Sequence, residues 1–155
     1  MKKVMKMMLC GAAVLMMALL TNCSKPADKV QGTLKGYTIT NTQFFQNKFN
    51  DGETVEIIST GSNLVDVKFN SEMWGTFLIT GATVEKSGKF YTISGKGTAK
   101  MTHQGGTNTY DCNLSGNFIN HDDAEISFEI PSVMGGTKIV FYAGNAPVEY
   151  LNYEE

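Results

Sequence analysis

Apolar and polar residues alternate most regularly between positions 107 and 130. Tyr110, Cys112, Leu114, Gly116 and Phe118 share one parity, and Thr109, Asp111, Asn113, Ser115 and Asn117 hold the other. After the turn formers Asn120, His121 and Asp122 the alternation resumes, with Ala124, Ile126, Phe128 and Ile130 set against Asp123, Glu125, Ser127 and Glu129. Successive strand side chains point to opposite faces. A two-residue period held this long predicts a β-hairpin with one buried and one solvated side.

The rest of the chain repeats this pattern less cleanly. A strand over 30–40 carries Gly32 and Gly36 among Thr33, Leu34, Tyr37 and Ile39, which marks a sharp bend or the close approach of another backbone. Residues 41–50 are amide-rich, with Phe44, Phe45 and Phe49; they prolong that strand or form a lid over one end of the domain. Asp51 and Gly52 turn into a second strand, 53–58, with Val55 and Ile57 in phase. The third, 64–70, puts Val65, Val67 and Phe69 on one side and Asp66 and Lys68 on the other. The fourth, 75–84, is apolar on both sides (Phe77 and Ile79; Leu78 and Val84), as for a strand covered at one end. A fifth strand runs over 90–100, and Gly135 and Gly136 precede the last, 137–142. Residues 144–155 read as an acidic tail able to half-dock through Val148, Tyr150 and Leu151.

Eight strands joined by short loops must pair mostly antiparallel, and no helical period of ten or more residues follows Cys23. The expected fold is all-β: a single antiparallel eight-stranded up-and-down barrel over 30–143, which leaves no open sheet edge. A two-sheet sandwich would show the same alternation. A membrane-spanning barrel alternates too, but with its apolar set facing lipid. Here it would have to leave Asp111, Asn113, Asn117, Asp123, Glu125 and Glu129 outward or crowd them into a tiny lumen, so it is not expected.

The front end is of another kind. Lys2, Lys3 and Lys6 precede residues 7–20, which carry no charge. Those residues would span about 21 Å as a helix, short of the roughly 30 Å hydrocarbon core, so the segment reads as a signal-peptide core. It ends in Leu20, Thr21, Asn22 and Cys23, which resembles a bacterial lipobox, although Gly, Ala or Ser is commoner where Asn22 stands. The expected organisation is a helical lipoprotein signal peptide (1–22), lipid attachment at Cys23, and a polar, flexible tether (23–29) interrupted by Pro26. Its acyl chains make the membrane a partner. Cys10 leaves with the leader and Cys23 is acylated, so Cys112 remains alone on an apolar strand face, where it reads as a buried, unreactive thiol.

Removing the leader lysines changes the charge balance: ten lysines then face fifteen acidic residues, a net of −5, and the chain has no arginine. Without the side chain preferred for phosphate and base-edge contacts, no nucleic-acid partner is expected. The 155 residues allow one domain with a core of useful size.

Val30-Gln31-Gly32-Thr33-Leu34, Asp66-Val67-Lys68-Phe69, Gly81-Ala82-Thr83-Val84, Tyr91-Thr92-Ile93-Ser94-Gly95-Lys96-Gly97 and Leu114-Ser115-Gly116 follow one another in an order that resembles the calycin-like β-barrel lipoproteins of Gram-negative gut anaerobes. The resemblance covers most of the mature chain. It implies the barrel and lipid anchoring to the outer membrane, on its periplasmic or surface face, and it brings no established reaction. Lipocalins carry a Gly-X-Trp near the first strand. The single tryptophan here, Trp74, precedes the fourth, so the chain resembles no true lipocalin.

Candidate chemistry is sparse. His103 and His121 fall in turns, and the neighbours Asp122 and Asp123 diverge from His121 along the chain, so no metal site is expected. Glu125 and Glu129 share a solvated face, not a cleft. Gly95-Lys96-Gly97 lies within a strand and not at a strand-to-helix turn, which argues against a phosphate loop. No cofactor and no enzymatic reaction is expected. Two readings stay open. In one, the barrel holds a small apolar ligand in a cavity lined by Val65, Val67, Phe69, Cys112, Leu114, Ile126 and Phe128, the same residues that would otherwise form plain core. In the other, the outer surface docks an envelope protein or glycan through exposed aromatics such as Trp74, Tyr91 and Phe44 or Phe45.

Overall fold

A computed structural model describes residues 24–103 and 105–151. Residues 1–23, which hold the expected signal peptide and lipid attachment at Cys23, and residues 152–155 of the expected tail lie outside the described residues. The order is α1 (Pro26–Val30), β1 (Gly32–Asn41), β2 (Lys48–Ser59), β3 (Leu64–Ser71), β4 (Gly75–Ser87), β5 (Phe90–His103), β6 (Gly106–Asn120), β7 (Asp123–Ile130), β8 (Thr137–Ala143) and α2 (Val148–Leu151). Each strand pairs antiparallel with the next, and β8 returns to β1 from Gly36↔Ala143 to Asn41↔Lys138. That last pairing closes the barrel and excludes the sandwich.

The β6–β7 hairpin has the expected phase: Cys112, Leu114, Phe118, Ala124, Ile126, Phe128 and Ile130 all lie inside. Leu114 pairs with Phe128 and Gly116 with Ile126. Ser127 departs from the pattern. It faces outward yet is buried, opposite the buried Val140 of β8. Elsewhere the outer face is mostly polar, with Leu64, Leu78, Phe90 and Ile119 as exposed exceptions, and pairs such as Glu56 with Lys68 and Glu129 with Lys138 sit opposite one another across neighbouring strands. Apolar inside and polar outside is the inverse of a membrane-spanning barrel.

Two expectations need correction. β4 is not covered on both sides. Its pairing with β5 breaks between Leu78 and Thr83, and Gly81 takes a left-handed φ of 65° with its N–H donated to Asp66 Oδ1 at 2.9 Å. This bulge shifts the phase, so Phe77 and Ile79 point inward before it and Ala82 and Val84 after it, while Leu78 is exposed. The tether is not a leash beyond Lys25. Pro26 opens one helical turn, for which its fixed φ is suited. Ala27 and Val30, three residues apart on one side of that turn, are fully buried against the barrel end. Ala27 N–H donates to the Ser62 carbonyl at 3.2 Å, and a ring nitrogen of His121 meets the Gln31 carbonyl oxygen at 2.8 Å. At the other terminus α2 docks through Tyr150, stacked on Phe49 at 5.1 Å, while Val148 and Leu151 stay exposed.

Residues 41–50 split between the two expected roles. Asn41 ends β1, residues 42–47 cross the barrel end, and Lys48 begins β2, longer than its apolar core suggested. The β1–β2, β3–β4, β5–β6 and β7–β8 connections lie at this end, termed the upper end; α1 covers the lower.

Gly36 sits hard against β8: a Cβ there would run into the Tyr142 carbonyl oxygen, whereas one at Gly81 meets nothing within 4 Å. Gly36→Ala should therefore cost about 3 kcal/mol or more, as overpacking does, and Gly81→Ala only the roughly 1–2 kcal/mol of a left-handed residue. Urea denaturation of both variants measures this, and equal losses would contradict the close approach.

Candidate functional site

All seven residues expected to line a cavity face the barrel interior, and none is more than 3% exposed. The fold brings them together as packing. Phe69 on β3 and Phe128 on β7 stand on opposite sides of the eight-strand ring, yet their rings stack at 5.0 Å. Phe77 joins them at 5.2 and 5.4 Å. Side chains thus bridge the lumen at this level. Burial pushes the Cys112 thiol up to about 12, which leaves it protonated and inert as a nucleophile at neutral pH.

Polar groups enter the interior towards the upper end. Thr38 and Thr40 of β1, Glu53 of β2, Ser71 of β3 and Thr137 of β8 are all buried. Glu53 points inward because it is in phase with Val55 and Ile57, and just before it Asp51 and Gly52 bulge out of β2, where the β1–β2 register slips between Gly36 and Thr38. Its Oε1 accepts from Ser71 Oγ at 2.7 Å and from the Asn50 side-chain amide. Ser71 Oγ in turn accepts from the Trp74 backbone N–H at 3.2 Å, which ties the buried acid to the β3–β4 turn. Burial pushes the Glu53 carboxyl above its ordinary range; the hydrogen bonds from Ser71 and Asn50 pull it down, and the charge of Glu72 adds to the rise.

Trp74 closes the upper end. It is 6% exposed, Phe45 stacks on its indole at 6.0 Å, and its Nε1–H finds no partner among the described residues. The hydroxyls of Thr38 and Thr40 are likewise buried without partners. Trp74 is therefore no outer-surface anchor, and Phe45 is half-buried against it; only Phe44, at 74%, stands out in solvent. Tyr91 packs against the core.

Beside Trp74 lies a partly enclosed pocket of about 160 Å³. Met73, Trp74, Met101, Tyr110, Val133 and Met134 make its wall, from the β3–β4 turn, the projecting β5–β6 hairpin and the β7–β8 loop. Wider grooves of about 760 and 640 Å³ flank Asp51 and Gly52 but open broadly to solvent. The mouth pocket was not legible in the chain order. Its residues are scattered over loops, and the usable signal was that the lone tryptophan and every methionine after Met17 belong to it. His121, in contrast, serves structure: its ring holds Gln31 and packs edge-on to Phe118 at 5.2 Å. No group of three His, Cys, Asp or Glu side chains able to hold a metal exists among the described residues.

No family model and no curated protein matches the chain. Its structure is similar to the crystal structure of a protein described as a putative outer membrane protein of Bacteroides fragilis NCTC 9343, with a TM-score of 0.67 and 23% identity over 81% of this chain and 48% of that one. The chain thus spans about half the length of that protein, and the likeness is one of fold.

A carboxyl raised in the folded state binds its proton more readily there than in the unfolded chain. Protonation of Glu53 therefore adds stability that is complete below its ordinary value of 4.5 and is lost as pH rises through the raised one. Between about pH 4 and pH 7, wild type should lose stability relative to Glu53→Gln, which retains an oxygen for Ser71. Parallel denaturation midpoints across that range would refute the assignment.

Proposed function

We propose that this chain is a non-enzymatic binding barrel of the bacterial cell envelope, anchored by lipid at Cys23, with a small ligand seated at the upper mouth. Supporting the envelope reading are the leader ending in Cys23, the calycin-like resemblance, and a fold shared with a protein described as a putative outer membrane protein. The polar exterior suits a domain held beside a bilayer rather than within one. Since α1 packs on the lower end, an anchor just before it puts the mouth at the end away from the membrane.

The observation that carries the binding reading is the partly enclosed mouth beside a buried indole whose N–H has no partner. A buried polar group without a partner costs about 1–3 kcal/mol, and such groups persist where water or a ligand completes them. Magnitude decides between mouth and lumen. The stacked phenylalanines bridge the lumen, and 160 Å³ holds about five waters at ~30 Å³ each. Sites for lipid- or drug-sized ligands run to about 300–1,000 Å³, so the ligand is small.

Two measurements test the reading. Cys23→Ser should move the protein from the membrane to the soluble fraction; unchanged fractionation would remove the anchor. Native mass spectrometry of the full chain, extracted in mild detergent, should show a small adduct that disappears in Thr102→Trp, which fills the mouth from its exposed rim. A bare wild-type mass, or an adduct retained in the variant, would remove the site.

A further inference from the structure

The chain has nine methionines, and six of them (Met1, Met5, Met7, Met8, Met16 and Met17) belong to the leader. The other three, Met73, Met101 and Met134, come from three separate connections or strand ends and all line the mouth pocket. Core packing accounts for Met101, which is 9% exposed, but not for the other two. Met73 is 45% exposed. Met134 is held at a φ of 50°, a left-handed conformation that costs a residue with a Cβ roughly 1–2 kcal/mol. Its loop is fastened there: Gln43 N–H donates to the Met134 carbonyl at 3.1 Å, and Gly136 N–H to the Val133 carbonyl at 2.9 Å. Strain of this kind, kept in place by surrounding hydrogen bonds, is typical of ligand clamps.

From these placements we propose that Met73, Met101 and Met134 form a three-thioether site for a soft monovalent cation, Cu(I) being the one with matching chemistry. The proposal rests on the mouth-binding reading and names its ligand class. Thioether sulfur is a soft, uncharged donor that selects Cu(I) over the harder divalent ions, which favour imidazole, thiolate or carboxylate ligands. Among the described residues no charged side chain lines this pocket, so a divalent ion would enter with its charge uncompensated. A monovalent ion of similar size bears about a quarter of that cost, since it scales with the square of the charge. It also gains from the aromatic wall, since an indole face attracts a cation placed within about 6 Å. Behind the wall, Glu53 is tied through Ser71 to Trp74, so a buried acid backs the same end of the barrel. The size agrees: an ion needs far less than the 160 Å³ present, and the remainder admits water or a small co-ligand.

The test uses Ag(I), a redox-inert stand-in for Cu(I), with the full chain in mild detergent and its accessible thiols alkylated. Trp74 is the sole tryptophan and part of the wall, so its fluorescence reports this pocket. Saturable quenching at one ion per chain is expected, with Zn(II) giving none. Met73→Leu changes an exposed side chain with little effect on the fold and should weaken Ag(I) by about tenfold or more. The triple variant Met73→Leu, Met101→Leu, Met134→Leu should abolish the response. Absence of saturable quenching, or equal affinity in wild type and Met73→Leu, would overturn the metal assignment. The mouth-binding reading would then stand or fall separately, on whether the native-mass adduct is a non-metal species or absent.

Discussion

Closure of the sheet between β1 and β8 is the constraint on which the rest of the structure depends. It requires the two backbones to approach so closely at Gly36 that no side chain fits between Gly36 and the Tyr142 carbonyl. Once closed, eight strands enclose an interior just wide enough for side chains to fill. The contact of Phe69 with Phe128 across the ring follows directly: large inward residues on opposing strands have nowhere else to go. The barrel is in this sense its own core, and a lipid tail at that level would have to displace the aromatic cluster. At roughly 3–5 kcal/mol for each deleted phenylalanine side chain, that cluster is too valuable to the fold to serve as a movable lining.

The two ends are finished differently. At the lower end one helical turn buries Ala27 and Val30 and is fastened by backbone hydrogen bonds and by His121, and among the described residues that plug has no buried polar side chain without a partner. At the upper end the interior becomes polar through Thr38, Thr40, Glu53 and Ser71, and three buried groups there lack partners. Buried polar groups are normally satisfied, and violations gather where something else completes the site. The asymmetry distinguishes the two ends: the one nearest Cys23 in the chain is sealed by the helical turn, and the other holds the buried polar groups.

Strand phase and hairpin register were legible in the chain wherever both faces had distinct chemistry. β3, β6, β7 and β8 follow their apolar parity. Parity failed in three places, each for a physical reason. β1 turns threonines inward, so its buried face does not look buried. β4 changes phase at the Gly81 bulge, which made a single-sided strand read as apolar on both sides. α1 is one turn long, too short for any helical period to register, and its burial depends on a barrel end that exists only after closure.

What the sequence by itself determined is the class of the fold and the direction of its faces, because both depend on neighbours one or two residues apart. The seven residues expected to line a cavity are buried, but whether an interior is hollow depends on side chains meeting across the ring, and those are some sixty residues apart in the chain. The mouth belongs to the same category. Met73, Met101 and Met134 have unremarked surroundings along the chain, and only the upper ends of several strands, brought to one rim by closure, make them a pocket. Local alternation encodes the wall of this barrel, and tertiary structure alone decides what its end can hold.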